Sequence, residues 1–113
     1  MEKLMEKFQD KALKKFLSQE EIALVKSAKT AAGFWAVKEA CSKALGTGIG
    51  AECSFHDIKI YKNNKGAPQL ALSKRVVEKF ALTEAALSIS HDGEYAIGVV
   101  TLQSTTTNKI EKF

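Results

Sequence analysis

Little in this sequence supports a membrane, a secretory route or a redox centre. No apolar run approaches the ~20 residues that a membrane-spanning helix needs, and the opening Met-Glu-Lys-Leu-Met-Glu-Lys lacks the apolar core of a signal peptide. These absences predict a cytoplasmic protein with no membrane contact. Cysteine is scarce: Cys41 and Cys53 are the only two, and they sit in no CxxC or other ligand-like spacing. Buried free thiols are therefore expected in place of a disulfide or a thiolate metal site. Internal repeats and linker-like stretches are also missing, so 113 residues make one domain at most, with a modest core. Excess charge is limited to a formal +4. It favours acidic partners in general, whether nucleic acid, acidic protein or phosphorylated small molecule. No base-stacking aromatic cluster and no helix-turn-helix spacing is present, which argues against nucleic acid.

What is there reads as helices first and antiparallel strands after, an α+β chain. Residues 2–17 fit an amphipathic helix. Met5, Phe8, Ala12, Leu13 and Phe16 fall within about one third of its circumference, with Lys3, Lys7, Lys11, Lys14 and Lys15 on the other side. That lysine stripe is either a solvated face or a docking surface for an acidic partner. Ser18-Gln19-Glu20-Glu21 is a capping-box pattern that starts a short second helix, to about Ser27. Thr30 is expected to cap a third helix through Leu45, with Gly46 as its left-handed stop. Alternation at Ile58 and Ile60 marks a strand, Asn63-Asn64-Lys65-Gly66 a turn, and Gln69 to Leu72 a second strand after the single proline, Pro68. Ser73 is placed to cap a helix to Phe80 that buries Val76, Val77 and Phe80. Ala86–Ser90 and Tyr95–Leu102 make a hairpin about Asp92-Gly93. Residues 1–102 form the expected domain and 103–113 a polar tail.

The third helix carries the chemistry. On a wheel of ~100° per residue, Ala36, Val37, Ala40, Cys41, Ala44 and Leu45 share one half, predicted to be core, while Lys38, Glu39, Ser42 and Lys43 share an arc of the other. Glu39 and Lys43, four apart, suit either an ordinary surface ion pair or half of a phosphate-and-metal site. Trp35 falls on the polar arc, where it would line a ligand or pack against a neighbouring subunit. Gly46, Gly48 and Gly50 follow the helix in no Walker or dinucleotide pattern; they free the backbone for close approach. His91 ends a strand at a hairpin behind Ser88 and Ser90. His56 has no context that assigns it a role.

Taken together, the run from Ala36 to Gly50, Ala-Val-Lys-Glu-Ala-Cys-Ser-Lys-Ala-Leu-Gly-Thr-Gly-Ile-Gly, resembles the signature of bacterial holo-acyl-carrier-protein synthases, of the 4'-phosphopantetheinyl transferase family. Ser54-Phe55-His56-Asp57-Ile58 and Ser88-Ile89-Ser90-His91 extend the match, which runs from about residue 8 to Val100. The resemblance implies transfer of the phosphopantetheine arm of coenzyme A to a serine of acyl carrier protein, releasing adenosine 3',5'-bisphosphate. It implies a homotrimer with active sites at subunit boundaries. It makes Glu39 a Mg²⁺ ligand, Lys43 and His91 phosphate contacts, and Gly46, Gly48 and Gly50 the border of the nucleotide. Glu39 or a metal-held water would take the serine proton. The first helix becomes the carrier-protein dock, with Lys7, Lys11, Lys14 and Lys15 beside Met5 and Phe8.

Two departures qualify what the resemblance implies. Family members begin with a strand of the type Gly-Ile-Asp-Ile-Val, whose aspartate is a second metal ligand, whereas this sequence starts at Met1-Glu2-Lys3. Weak Mg²⁺ binding and slow turnover are expected of the chain as written. Phe34 stands where many relatives carry an arginine, so one phosphate contact is expected to be either missing or supplied from elsewhere. The alternative reading is an inactive relative that binds coenzyme A or carrier protein without transfer.

Overall fold

A computed structural model describes residues 11–93 and 95–105. Met5, Lys7 and Phe8 of the expected dock lie outside the described residues. Residues 11–14 are helical, and Lys11, Lys14 and Lys15 are exposed while Leu13 and Phe16 pack inward. Helix α1 (Gln19–Leu24) starts at the expected capping box: the Glu21 amide donates to Ser18 Oγ, and the Ser18 amide donates to Glu21 Oε1 at 2.8 Å. Helix α2 spans Ala28–Ala44. Its cap is Ser27 and not Thr30, because Ser27 has the extended backbone of a cap and its hydroxyl accepts from the Thr30 amide.

The C-terminal end of α2 is closed by a Schellman motif. The Gly46 amide donates to the Lys43 carbonyl at 2.9 Å and the Thr47 amide to the Ser42 carbonyl at 3.1 Å. Gly46 at φ 82° supplies the left-handed residue that this geometry needs. A 3-10 turn at Phe55–Asp57 leads into β1 (Ile58–Lys62), which pairs antiparallel with β2 (Pro68–Leu72). Asn63 Oδ1 organises the turn between them by accepting from the Lys65 and Ala67 amides. Helix α3 (Lys74–Lys79) follows, then β3 (Leu82–Asp92) and β4 (Tyr95–Ser104), a long antiparallel ribbon.

Both ribbon strands exceed their sequence-based limits. β3 begins four residues before Ala86 and takes in His91 and Asp92. β4 continues two residues into the stretch expected as tail, with Gln103 opposite Glu84. Polar residues on these strands face solvent and satisfy their backbone through the ladder, so hydropathy alone did not mark them.

The core lies where α2 crosses the ribbon. Leu17, Phe34, Val37 and Ile60 form one buried cluster, and Cys41, Cys53, Ile58 and Val76 form the other. Both cysteines are free, and burial pushes the Cys41 thiol up to about 12. Phe34 is part of the core. No helix among the described residues is long and apolar enough to cross a membrane.

Candidate active site at the end of helix α2

Helix α2 has two buried faces, and this corrects the expected polar arc. The ribbon covers one face, while the segment 16–21 and the start of β1 cover the next. Lys38 and Ser42, expected beside Glu39 and Lys43, are fully buried, and Ala44, expected in the core, is exposed. Lys38 Nζ donates to Glu21 Oε1 at 2.9 Å, to the Phe16 carbonyl at 2.7 Å and to the Phe55 carbonyl at 3.0 Å. Glu21 Oε2 accepts from the Ile60 amide at 2.9 Å. Desolvation lowers the Lys38 pKa, and the Glu21 carboxylate opposes that shift. Sequence reasoning missed this pair, although a signal was present. Phe34, Lys38, Cys41 and Leu45 stand at i, i+4, i+7 and i+11, a row that continues an apolar stripe through a lysine.

Glu39 and Lys43 remain on the open side. Glu39 is half-buried and Lys43 exposed. No salt bridge joins them, and no side-chain hydrogen bond or ion pair engages either among the described residues. An ordinary surface ion pair is therefore not formed. Instead, a carboxylate and an ammonium group one turn apart both stand without a protein partner. Lys43, with Glu39 one turn before it, adjoins the loop of Gly46, Gly48 and Gly50. Its backbone is held by the Ser42 carbonyl, which accepts from the Thr47 and Gly48 amides. A Cβ placed on any of the three glycines would meet nothing within 4 Å, so the loop offers open backbone to whatever approaches.

The far end of this loop is anchored by Asp57, whose carboxylate is saturated. It accepts from the Ser54 amide at 2.8 Å, Ser54 Oγ at 3.0 Å, Ser73 Oγ at 2.7 Å and Arg75 Nε at 2.9 Å, with Arg75 Nη2 also in contact. Arg75 Nη1 adds a bond to the Ala51 carbonyl at 3.1 Å. The Arg75 guanidinium, with these hydroxyl and amide donors, holds the Asp57 carboxyl well below the usual carboxylate range. Nothing in the sequence pairs Asp57 with Arg75, since their contact depends on how α3 folds back. Ser73 occupies the predicted cap position of α3, but its hydroxyl goes to Asp57.

His91 is placed elsewhere. Its ring lies beside Gly33, where an added Cβ would stand 3.5 Å from His91 Cε1. Gly33 precedes Glu39 by about 9 Å along the helix axis and Lys43 by about 15 Å. Lys43 and the glycine loop thus lie at the C-terminal end of α2, Glu39 stands one turn before Lys43, and His91 sits toward the other end. Among the described residues, no group of three His, Cys, Asp or Glu side chains could hold a metal ion. Glu39 offers a single hard carboxylate, which suits Mg²⁺ if phosphate oxygens and water fill the remaining positions. His56 is exposed.

The outer face of β4 carries exposed apolar side chains, opposite Ser88, Ser90 and Asp92 of β3. Tyr95 is 78% exposed, Val99 53% and Ile97 51%. Trp35, 47% exposed, continues this surface through an open groove of about 430 Å³ lined by Phe16, Ala32, Trp35, Ala36 and Tyr95.

Comparison with known proteins places this arrangement in a family. The profile of the 4'-phosphopantetheinyl transferase superfamily matches residues 1–100. The holo-[acyl-carrier-protein] synthase of Sulfurimonas denitrificans is 62% identical over 107 residues, covering 95% of this chain and 88% of the relative. That of Aliarcobacter butzleri is 54% identical over 88% of this chain and 85% of the relative. The crystal structure of Helicobacter pylori holo-[acyl-carrier-protein] synthase in complex with coenzyme A superposes with a TM-score of 0.82. It is 50% identical, with 90% of each chain covered. The synthase of Bacillus anthracis, also solved with coenzyme A, gives a TM-score of 0.72 at 38% identity, covering 88% of this chain and 86% of that one. The fold, the signature on α2 and these likenesses agree: the chain belongs to the 4'-phosphopantetheinyl transferase superfamily.

Proposed function

We propose that this chain is a holo-[acyl-carrier-protein] synthase, moving the 4'-phosphopantetheine group of coenzyme A onto a serine of apo-acyl carrier protein. Adenosine 3',5'-bisphosphate is the second product. The observation that carries the assignment of roles is the unpartnered pair Glu39 and Lys43, one turn apart beside an open glycine loop. Phosphoryl transfer asks a protein mainly to position its reactants and offset charge. Lys43 steadies the pyrophosphate on the leaving side, and the open backbone from Gly46 to Gly50 borders the nucleotide. Glu39 holds Mg²⁺, whose charge, when bound, neutralises the pyrophosphate oxygens. Either Glu39 or a metal-held water would take the serine proton in this reading.

His91 supplies its phosphate contact across a subunit boundary in this reading. Its distance from Lys43 along α2 supports that arrangement, as does the exposed apolar surface of Tyr95, Ile97, Val99 and Trp35, which a homotrimer would cover. Lys11, Lys14 and Lys15, with Met5, Lys7 and Phe8 of the same segment, receive the acidic carrier protein. A cytoplasmic location suits these partners, and the catalytic domain extends through β4 to Ser104.

Mass spectrometry of apo-acyl carrier protein incubated with the chain, coenzyme A and Mg²⁺ tests the assignment. A gain of one phosphopantetheine group, abolished by Glu39→Gln, is expected. Carrier or coenzyme A binding without that gain would replace the reading with a non-transferring relative.

A further inference from the structure

Lys38 adjoins Glu39 in sequence but has no access to the reaction. Its ammonium group is fully buried, and it spends its three donors on Phe16 O, Glu21 Oε1 and Phe55 O. Stability alone does not account for such a group. Removing two charges from water costs several kcal/mol per ion, and apolar residues of similar volume are often as stable or more so. An apolar residue, however, cannot hold three oxygens from three segments at one point.

One of those oxygens is a helix end. The Phe16 and Leu17 amides both donate back to the Leu13 carbonyl, which closes the segment that is helical at 11–14. The Phe16 carbonyl lies past that closure, among the terminal carbonyls that a cation satisfies best. The ammonium of Lys38 therefore caps the N-terminal helical segment from the residue next to Glu39. Glu21 keeps it there. That carboxylate is itself fixed by the Ser18 amide at 2.8 Å and the Ile60 amide at 2.9 Å. Lys14 and Lys15 are exposed one and two residues before the capped carbonyl. The coenzyme A end of α2 is independently held by the Ser42 and Lys43 carbonyls.

We propose that Lys38, locked by Glu21, is a positioning residue that fixes the carrier-docking segment relative to Glu39. This rests on the reading above, in which the lysine-bearing segment receives the carrier protein and Glu39 stands at the reaction centre. Loss of the cap lets the end of the docking segment shift while the coenzyme A site keeps its shape. A merely structural pair would disturb both substrates alike.

The test compares the wild type with Glu21→Gln, with the double variant Lys38→Met/Glu21→Gln, and with the charge reversal Lys11→Glu/Lys14→Glu. Measured are kcat, KM for apo-acyl carrier protein, and the Kd of coenzyme A by calorimetry. The double variant is expected to raise the carrier KM roughly tenfold with the coenzyme A Kd unchanged. Glu21→Gln keeps the volume and an acceptor for Ile60 but turns an amide NH2 toward the Lys38 ammonium, so it moves the same way. If the double variant does not fold, Glu21→Gln decides by the same criterion. A folded variant with unchanged carrier KM, or one in which both substrates weaken together, overturns the proposal. The lysine reversal separates the two layers. If it leaves carrier KM unchanged, the docking reading fails and this proposal with it. A responsive reversal beside an unresponsive Lys38 variant removes the coupling alone.

Discussion

Gly98 passes directly beneath Val37: a Cβ built on Gly98 would stand 2.8 Å from the Val37 amide nitrogen and 2.9 Å from the Ala36 carbonyl carbon. The neighbours are helix backbone, which cannot rotate away as a side chain would. Gly98→Ala must therefore lift α2 off the ribbon, with a loss of about 1–3 kcal/mol, read as a lower urea midpoint. Gly50→Ala, whose added methyl meets nothing, should stay within about 0.5 kcal/mol. Equal effects at the two sites would contradict this packing.

Breaking the Lys38–Glu21 pair from one side leaves an uncompensated buried charge. Lys38→Ala or Glu21→Ala should each cost about 3–5 kcal/mol in denaturant unfolding. Joint replacement should cost much less than the sum, because the lone charge is gone. Additive losses would show that the two groups do not compensate each other.

Glu39 differs, since its carboxylate has no partner to lose among the described residues. Glu39→Gln should leave the melting temperature unchanged while transfer falls by roughly a hundredfold or more. A parallel fall in melting temperature would mark Glu39 as structural.

Acid stability should follow Asp57. Its folded pKa is depressed, first by Arg75 and then by Ser73 and Ser54, so its contribution is fully present above the unfolded carboxyl pKa of about 3.9. That contribution is lost as pH falls through the lower folded value. Urea midpoints of the wild type should drop steeply below about pH 4, and Asp57→Asn, less stable at neutral pH, should show a shallower drop. Parallel curves would exclude Asp57 as a source of the acid response.

The thiols should be silent. Burial raises both, Cys41 to about 12, so a thiol-specific disulfide reagent should label neither cysteine before unfolding and both after it. Rapid labelling of the native protein would refute the buried placement.

Much of this was legible in the residues. Ser18 and Glu21 announced their helix start, Gly46 its helix stop, and Ile58 and Ile60 their strand, because each depends on neighbours within a few positions. Trp35 was legible as a misfit, exposed where its type favours burial. Lys38 and Ser42 were misread because a wheel assumes one buried face, while α2 is covered on two. The partnership of Asp57 with Arg75 and the placement of His91 beside Gly33 depend on chain segments far apart in sequence. Local periodicity carries no information about such encounters.

The doubled hydrogen bonds to the Ser42 carbonyl have a mechanical meaning. They splice the glycine loop onto α2, so Glu39, Lys43 and Gly48 move as a single lever whose fulcrum is Gly98. Damage at the fulcrum would leave the spacing among those three groups intact and re-aim them all together. On the roles proposed above, coenzyme A would still find its cradle, and the incoming serine would meet it at the wrong angle.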